Sequence, residues 1–317
     1  MTDILAIGEL LIDLTQSGAT EQGVPRFTAN PGGAPANLAV AAALLGASTA
    51  FIGKVGADSF GVLLRGCLAE RGVDVSGLVV DPVRPTTLAV VAVDAAGERS
   101  FSFYRAHSAD LALSAAELSE EQLRHTRILH FGSVSLTAEP ARSATLRAVR
   151  TAREAGALIS YDPNYRPALW PDQAAAVTQM LAPLELVDIL KVSDEELALL
   201  TGVADPAAGS ALLAERGIPL IFVTCGPRGA FYRFRGRTGH VDGVPCAVGD
   251  TNGAGDTFFG AALSRLAGCG SLAGVSVPRL ERIIAFANRA ASITVSRRGA
   301  IPAMPTLAEV SPEGELP

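Results

Sequence analysis

The sequence predicts an α/β protein built on a mainly parallel sheet with helices on both faces and a small β lid beside it. Three observations carry that prediction. Short apolar, β-branched runs alternate with longer runs of helical spacing almost to the end of the chain. The short runs lack the polar alternation of a half-exposed sheet, as strands buried on both faces do. Two further β-prone runs break the rhythm and stand apart from it. Strands separated by helices imply right-handed crossovers and hence parallel pairing, and ligands of such sheets sit at the carboxyl ends of the strands.

Ile4–Ile7 is the first predicted strand, with Leu10–Asp13 following it. The longest apolar stretch, Ala34 to Ile52, contains Pro35, Asn37, Ser48 and Thr49 and is mostly alanine. It falls short of the roughly 20 strongly apolar residues of a membrane span and divides into a buried helix over Ala36–Leu45 and a strand over Phe51–Val55. Ser59–Glu70 is helical by spacing. Thr87–Val93 and Arg99–Arg105, joined by a segment ending Ala-Ala-Gly-Glu, form a hairpin; with Leu10–Asp13 it makes a small antiparallel sheet, for which a lid and an ordinary edge are equal readings. Strands at Ile128–Phe131, Leu158–Tyr161, Ile189–Val192 and Leu220–Thr224 alternate with helices at Arg142–Ala155, Asp194–Leu200 and Ala208–Arg216, bounded by Gly and Pro. The segment beyond Pro302 is Pro-rich and expected to be loosely held.

Composition narrows the function. Thirty-two acidic against twenty-six basic residues leave the 317-residue chain at −6, the wrong sign for a dedicated nucleic-acid binder. Charged residues make up 18%, below the roughly 25% of an average globular protein, and mean hydropathy is +0.31, which excludes a disordered chain. At about 150 residues per domain the length suggests roughly two domains, and one large core with a small appendage fits equally. The N-terminus has Asp3 and Glu9 and no Lys or Arg before Arg26, the opposite of a secretory leader, so a cytoplasmic protein without membrane partners is expected. Cys67, Cys225, Cys246 and Cys269 show no zinc-type spacing and are expected to pack as small hydrophobes.

The sharpest motif is Asp250-Thr251-Asn252-Gly253-Ala254-Gly255-Asp256, followed by the helical run Thr257–Leu266. Small residues before a helix let backbone N–H groups converge, and the helix end attracts an anion such as phosphate. Asp256, in the first turn, is placed to take a proton from a hydroxyl attacking that phosphate. Taken alone the motif is more often a plain helix start with a favourable acid, so it needs support from elsewhere. A second motif, Asn30-Pro31-Gly32-Gly33-Ala34-Pro35-Ala36-Asn37, again leads into a helix, and Gly53-Lys54-Val55-Gly56-Ala57-Asp58 ends a strand. Paired glycines allow close approach of backbone to ligand, Asn37 offers donor and acceptor to a polyol, and Asp13 offers a carboxylate suited to vicinal hydroxyls.

In these two signatures, in this order and over essentially its whole length, the chain resembles the ribokinase/PfkB family of sugar kinases. The resemblance implies a ribokinase-like three-layer α/β/α core of nine or so strands, mainly parallel, in a single domain over residues 1–317, its lid formed by about 10–30 and 84–110. It implies ATP and Mg2+ as cofactors, possibly K+, with Asp256 as base and the amides of Gly253, Ala254 and Gly255 as anion hole. Asp13, Gly32, Gly33 and Asn37 are implied sugar ligands. The family's Asn-x-x-Glu magnesium segment corresponds to Ser193-Asp194-Glu195-Glu196, keeping Glu196 and replacing the Asn by Ser193. Lys191, Thr224, Gly226, Gly229 and Asn288 fall on the nucleotide side, and Asp250 and Thr251, with Gly299-Ala300, on a monovalent cation. A homodimer paired through the lid is expected.

The segments Phe103-Tyr104-Arg105, His130-Phe131-Gly132-Ser133, Asp162-Pro163-Asn164-Tyr165-Arg166 and Leu169-Trp170 look most like the fructokinase branch. Arg105 and Arg166 also suit the bidentate carboxylate recognition of 2-keto-3-deoxygluconate kinases, the alternative reading. His107 and His130 are expected as pocket or core residues. No GxGxxG follows the first strand, and Val55 stands where a P-loop needs Ser or Thr, which disfavours dinucleotide enzymes and P-loop NTPases. With base and anion loop both present, a silent sugar-binding regulator is the weaker rival.

Overall fold

The structure, a computed structural model, describes residues 1–93 and 99–311. Its strands are β1 (Thr2–Ile7), β2 (Leu11–Ala19), β3 (Pro25–Gly32), β4 (Thr49–Gly56), β5 (Val73–Asp74), β6 (Leu78–Asp81), β7 (Leu88–Val93), β8 (Arg99–Tyr104), β9 (Thr126–Gly132), β10 (Leu158–Asp162), β11 (Ile189–Ser193), β12 (Leu220–Thr224), β13 (Ala230–Phe234) and β14 (Arg237–Val241). Its α-helices are α1 (Ala34–Leu44), α2 (Ser59–Glu70), α3 (Glu120–Arg124), α4 (Ala141–Glu154), α5 (Gln173–Leu181), α6 (Asp194–Thr201), α7 (Pro206–Ala214), α8 (Ala254–Ala267), α9 (Val277–Val295) and α10 (Leu307–Val310).

A ten-stranded sheet runs in the order β14-β13-β12-β11-β10-β9-β1-β4-β5, with β6 also paired to β4. Its central strands are parallel, and only β13 and β14 join antiparallel. Alternation of side chains divides the core between two faces. Leu129, Phe131, Ile159 and Tyr161 pack with Ala144, Ala148 and Val149 of α4 on one side. Ile4, Ile128, Ile189 and Leu220 pack with Leu38, Phe259 and Ile284 of α1, α8 and α9 on the other. Each such large side chain stabilises the fold by roughly 1.5–3 kcal/mol when fully buried, which is why these strands hold almost no polar residue until their carboxyl ends.

In-register pairing of Ile7 with Ile52 and Phe131, and of Ser193 with Thr224, levels those carboxyl ends. There the polar residues gather: Glu9, Asp162, Ser193 and Thr224. Most flanking helices carry their own caps. Asp58, Asp172 and Asp205 accept from the first turns of α2, α5 and α7, and Ser193 with Glu196 forms a capping box on α6. Helices α1 and α8 instead begin after Gly33 and Gly253, which have no side chain to cap with.

The second sheet, of order β3-β2-β7-β8, takes in the runs expected to form the small sheet beside the main one. It differs from expectation in two ways. β2 pairs parallel with β7 and antiparallel with β3, so the sheet is mixed; and β3, hidden in the sequence by its polar residues and two prolines, supplies an extra strand. The connection Asp94–Glu98 between β7 and β8, where the turn was expected, lies outside the described residues. Within the segment beyond Pro302, the described residues 303–311 are not loose: Ala303, Met304 and Val310 are buried, and α10 carries a capping box. Of the thiols, Cys67 and Cys225 are buried as expected, whereas Cys246 is exposed. His107 is exposed in a left-handed turn rather than in the core. Among the described residues no single helix is long and apolar enough to cross a membrane.

Candidate active site

After β1 the chain makes Gly8 and Glu9, enters the lid at β2 and returns along β3 to Gly32 and Gly33. Gly33 holds a positive φ of 110°, and a Cβ there would lie 2.4 Å from the Glu9 carbonyl oxygen, so only glycine lets the two segments close. The N–H of Ala34, first residue of α1, donates to Glu9 Oε1 at 3.1 Å. One turn on, Asn37 donates from Nδ2 to Asp256 Oδ2 at 2.8 Å, joining α1 to α8 across 219 residues. Gly32 is needed for a different reason: a Cβ would come 2.4 Å from Asp13 Oδ2, so the missing side chain is the space in which that carboxylate sits.

The second element is the turn before α8. Asp250 accepts from Asn252 N at 3.0 Å and from Gly299 N at 3.2 Å, and the N–H groups of Gly249 and Asp250 donate to Val295 O. Gly253, at φ 77°, turns the chain into the helix. The Ala254 N–H reaches Thr251 O only at 3.4 Å, and among the described residues those of Gly255 and Asp256 meet no acceptor. Beside them, a Cβ on Gly255 would lie 3.0 Å from Lys191 Nζ, so an ammonium stands at the helix end.

These elements enclose one cavity lined by Glu9, Asp13, Gly33, Asn37, Arg166, Asn252 and Asp256, with Phe103 from the lid and Leu169 as apolar walls. A larger cavity of about 370 Å³ beneath α2 is lined mainly by small and apolar residues, with Arg65 its only charged one; it holds none of these groups. Acids crowd the first cavity. Burial drives Glu9 up to about 7 against the pull of its own backbone amide, Arg105 and the Ala34 N–H. Burial likewise drives Asp13 up to about 6, opposed by Arg166 and the Asn252 side chain. Asp256 is raised by burial, opposed by Asn37, Lys191 and Arg166. Lys191, bridged to Asp162 at 2.9 Å, loses basicity to burial but is driven up to about 12 by Asp162, Glu196 and Asp256. It is a permanent cation. His130, by contrast, is driven down to about 3 by burial and Lys191 and bonds Ser160 through Nδ1, so it is a neutral core residue.

The structure thus brings Asp13, Gly33, Asn37, Arg166 and Asp256 together, with Gly32, Gly253, Ala254, Gly255 and Lys191 against them. Arg105 is not among them. It is buried, with Nε on Asp110 at 2.7 Å, Nη1 on Thr137 at 2.7 Å and Nη2 on the Val134 carbonyl at 3.0 Å; it anchors the root of the lid. Asn288 gives its amide protons to Val241 O and Asp242 O, so it fastens the end of β14 to α9. Gly226 and Gly229 have positive φ and close the turn after β12, with Cys225 N donating to Gly229 O. Thr224 stands at that strand end, next to Ser193 in register. This row lies along the sheet edge and does not line the sugar-sized cavity.

Glu196 accepts from Ser193 N and from Tyr165 N, each at 2.8 Å. The expected Asn position is therefore filled by a helix cap, and Ser193 Oγ itself accepts the Glu196 N–H. Among the described residues no group of three or more His, Cys, Asp or Glu side chains forms a metal cage. Glu196 and buried Asp162 are hard oxygen donors with spare lone pairs, which fits magnesium arriving on a phosphate and keeping its waters. Sequence reasoning quoted Asn164, Asn252 and Phe103 within its motifs and Glu9 near the N-terminus but gave none of them a site role. Glu9 was discoverable, since Gly-Glu follows directly on the first strand's carboxyl end, where ligands of parallel sheets sit.

A sequence profile described as pfkB family carbohydrate kinase matches residues 1–307. "Fructokinase-1" of Oryza sativa subsp. japonica is 44% identical over 310 residues, covering 97% of this chain and 96% of that protein. The crystal structure of fructokinase with bound ATP from Xylella fastidiosa superposes with a TM-score of 0.91 at 34% identity, covering 98% of this chain and 97% of that one. A fructokinase double mutant from Vibrio cholerae, crystallised with fructose, ADP and potassium ion, gives 0.87 at 33%, again over 98% and 97%.

Proposed function

The chain belongs to the pfkB family of carbohydrate kinases, and from that premise we propose that it transfers the terminal phosphoryl group of ATP to a primary hydroxyl of D-fructose, giving fructose 6-phosphate. The observation that carries this reading is the Asn37–Asp256 bond: it sets a half-buried carboxylate, beside an ammonium and two helix amides that meet no acceptor among the described residues, on the floor of a cavity rimmed by Asp13 and Arg166. The fructokinase relatives over the full length support the substrate.

In a loose phosphoryl-transfer transition state, positioning and charge stabilisation supply most of the acceleration. Asp13, Asn252 and the Gly33 backbone hold the sugar hydroxyls. Asn37 occupies Asp256 Oδ2 and leaves Oδ1 to accept the proton of the attacking hydroxyl. Its raised basicity suits that task. The α8 amides and Lys191 face the charge on the moving phosphoryl group, already directed there before the reaction begins. Glu196 and Asp162 are the carboxylates that would hold magnesium, which would supply further neutralisation of phosphate charge when bound. Thr224, Gly226, Gly229 and Asn288 flank the nucleotide, and Asp250 with Thr251 shapes a site for potassium. Closure of the lid brings Phe103 over the sugar and excludes water.

Arg166 alone faces the cavity, because Arg105 is held by Asp110, Thr137 and Val134. A two-arginine carboxylate clamp is therefore incomplete, which favours fructose over 2-keto-3-deoxygluconate. A homodimer paired through the lid is part of the reading, supported by exposed Phe27 and Tyr104, as is a cytoplasmic location, where ATP is supplied. The test is coupled ADP release with magnesium-ATP and fructose, 2-keto-3-deoxygluconate, ribose or glucose. The expected order puts fructose highest in kcat/KM. A higher value for the keto acid reassigns the substrate, and no turnover with any sugar overturns the reading.

A further inference from the structure

Glu9 belongs to no part of the mechanism above, and its setting is costly. The residue is 3% exposed; among the described residues its Oε2 is buried with no hydrogen-bond partner, while its Oε1 accepts the N–H of Ala34 and its own backbone amide also pulls on the carboxylate. A helix start needs no such residue: α2, α5, α6 and α7 are capped by an Asp or Ser adjacent in sequence, which satisfies the same donor without burying a carboxylate far from its helix. The chain has instead placed an acid from the end of β1 against the first residue of α1, 25 positions away.

What lies beyond that bond is the active cavity. From Ala34 the path runs through Gly33, whose carbonyl accepts the Asn37 N–H at 2.8 Å, to the Asn37 side chain and so to Asp256 Oδ2. Glu9 also sits where the chain leaves the core for the lid, facing the buried Arg105–Asp110 pair at the point where β8 returns. We propose that Glu9 is a positioning residue for the sugar side of the reaction, holding the Gly33–Ala34 turn and through it aiming Asn37 at Asp256. The near-neutral titration of its carboxyl is consistent with a group kept for geometry, since an oxygen acceptor for Ala34 exists in either protonation state.

The inference rests on the fructose kinase reading, and the experiment separates the two. Steady-state kinetics with fructose and magnesium-ATP are measured for the wild type, Glu9→Asp and Glu9→Gln, with thermal midpoints alongside. Asp withdraws the carboxylate by one methylene while keeping its charge; Gln keeps the acceptor in place and removes the charge. The expected result is a rise of about tenfold in the fructose KM for Glu9→Asp, the scale of one buried hydrogen bond, with the ATP KM unchanged, and rescue to within about threefold of wild type in Glu9→Gln. An unchanged fructose KM in Glu9→Asp, even with a lowered midpoint, makes Glu9 merely structural and overturns the inference alone. A wild type silent with fructose removes both.

Discussion

Helices α1 and α8 start alike and are used differently. Each follows a glycine at positive φ, 110° for Gly33 and 77° for Gly253, and neither has a side-chain cap of its own. At α1 the first N–H is closed by the chain itself through Glu9 Oε1. At α8 the amides of Gly255 and Asp256 stay open, with Lys191 beside them. A closed helix end is a fixed platform, and an open one beside a cation is a receptor for an anion. The bond from Asn37 to Asp256 ties platform to receptor, and in the proposed reaction the hydroxyl and the phosphoryl group would meet at that carboxylate.

The strongest way to break this comparison is at that carboxylate. Asp256→Asn keeps the size and the bond to Asn37 but cannot take a proton; kcat is expected to fall on the order of 10²–10⁴ with the nucleotide dissociation constant within a few-fold, as stopped-flow or calorimetric titration will read. The two glycines sharpen it. At Gly33 a methyl group would meet a backbone oxygen at 2.4 Å, which cannot move without the lid root, whereas at Gly253 it meets the Ala300 methyl at 2.9 Å. Gly253→Ala should cost somewhat more than the about 1–2 kcal/mol left-handed penalty of an L residue, because Ala300 must also give way. Gly33→Ala should cost about 3 kcal/mol or more, since strain and collision add there. Urea unfolding of both variants measures the difference.

Much of this was legible in the sequence because it rests on local chemistry. The glycine pairs, Asp13, Asn37 and Asp256 announce themselves by type and by place relative to strand ends and helix starts. The main strands were visible because both their faces are buried, giving unbroken apolar runs such as Leu220–Thr224. What escaped depends on partners distant in the chain. β3 is polar and nearly all exposed or half-exposed, so no periodicity marks it; pairing with β2 alone makes it a strand. Arg105 looked like a ligand because nothing in the sequence tells that Asp110, Thr137 and the Val134 carbonyl surround it. The bonds of Asn288 to Val241 O and Asp242 O were hidden for the same reason, its acceptors being 47 and 46 residues away.

A smaller effect concerns pH. Asp13 is driven to about 6 in the folded protein, above its unfolded value near 4. The folded state therefore binds more protons between those values, and this group's contribution to stability falls as pH rises from about 4 through 6. Asp13→Asn removes the loss: at pH 8 it should be more stable than wild type on the order of 2 kcal/mol, and the gain should vanish towards pH 4. Thermal unfolding across that range reads it, while the same variant binds fructose less well because a charged acceptor is gone.

The central claim is that the two helix ends act as one catalytic unit, and a double-mutant cycle on kcat tests it most directly, using Asn37→Ala, Asp256→Asn and the pair. If Asn37 serves by aiming Asp256, the double variant should be about as slow as Asp256→Asn alone, because one variant has already removed what the other orients. If the two losses instead multiply, Asn37 acts on the sugar independently of Asp256, and the shared apex of α1 and α8 is not a unit.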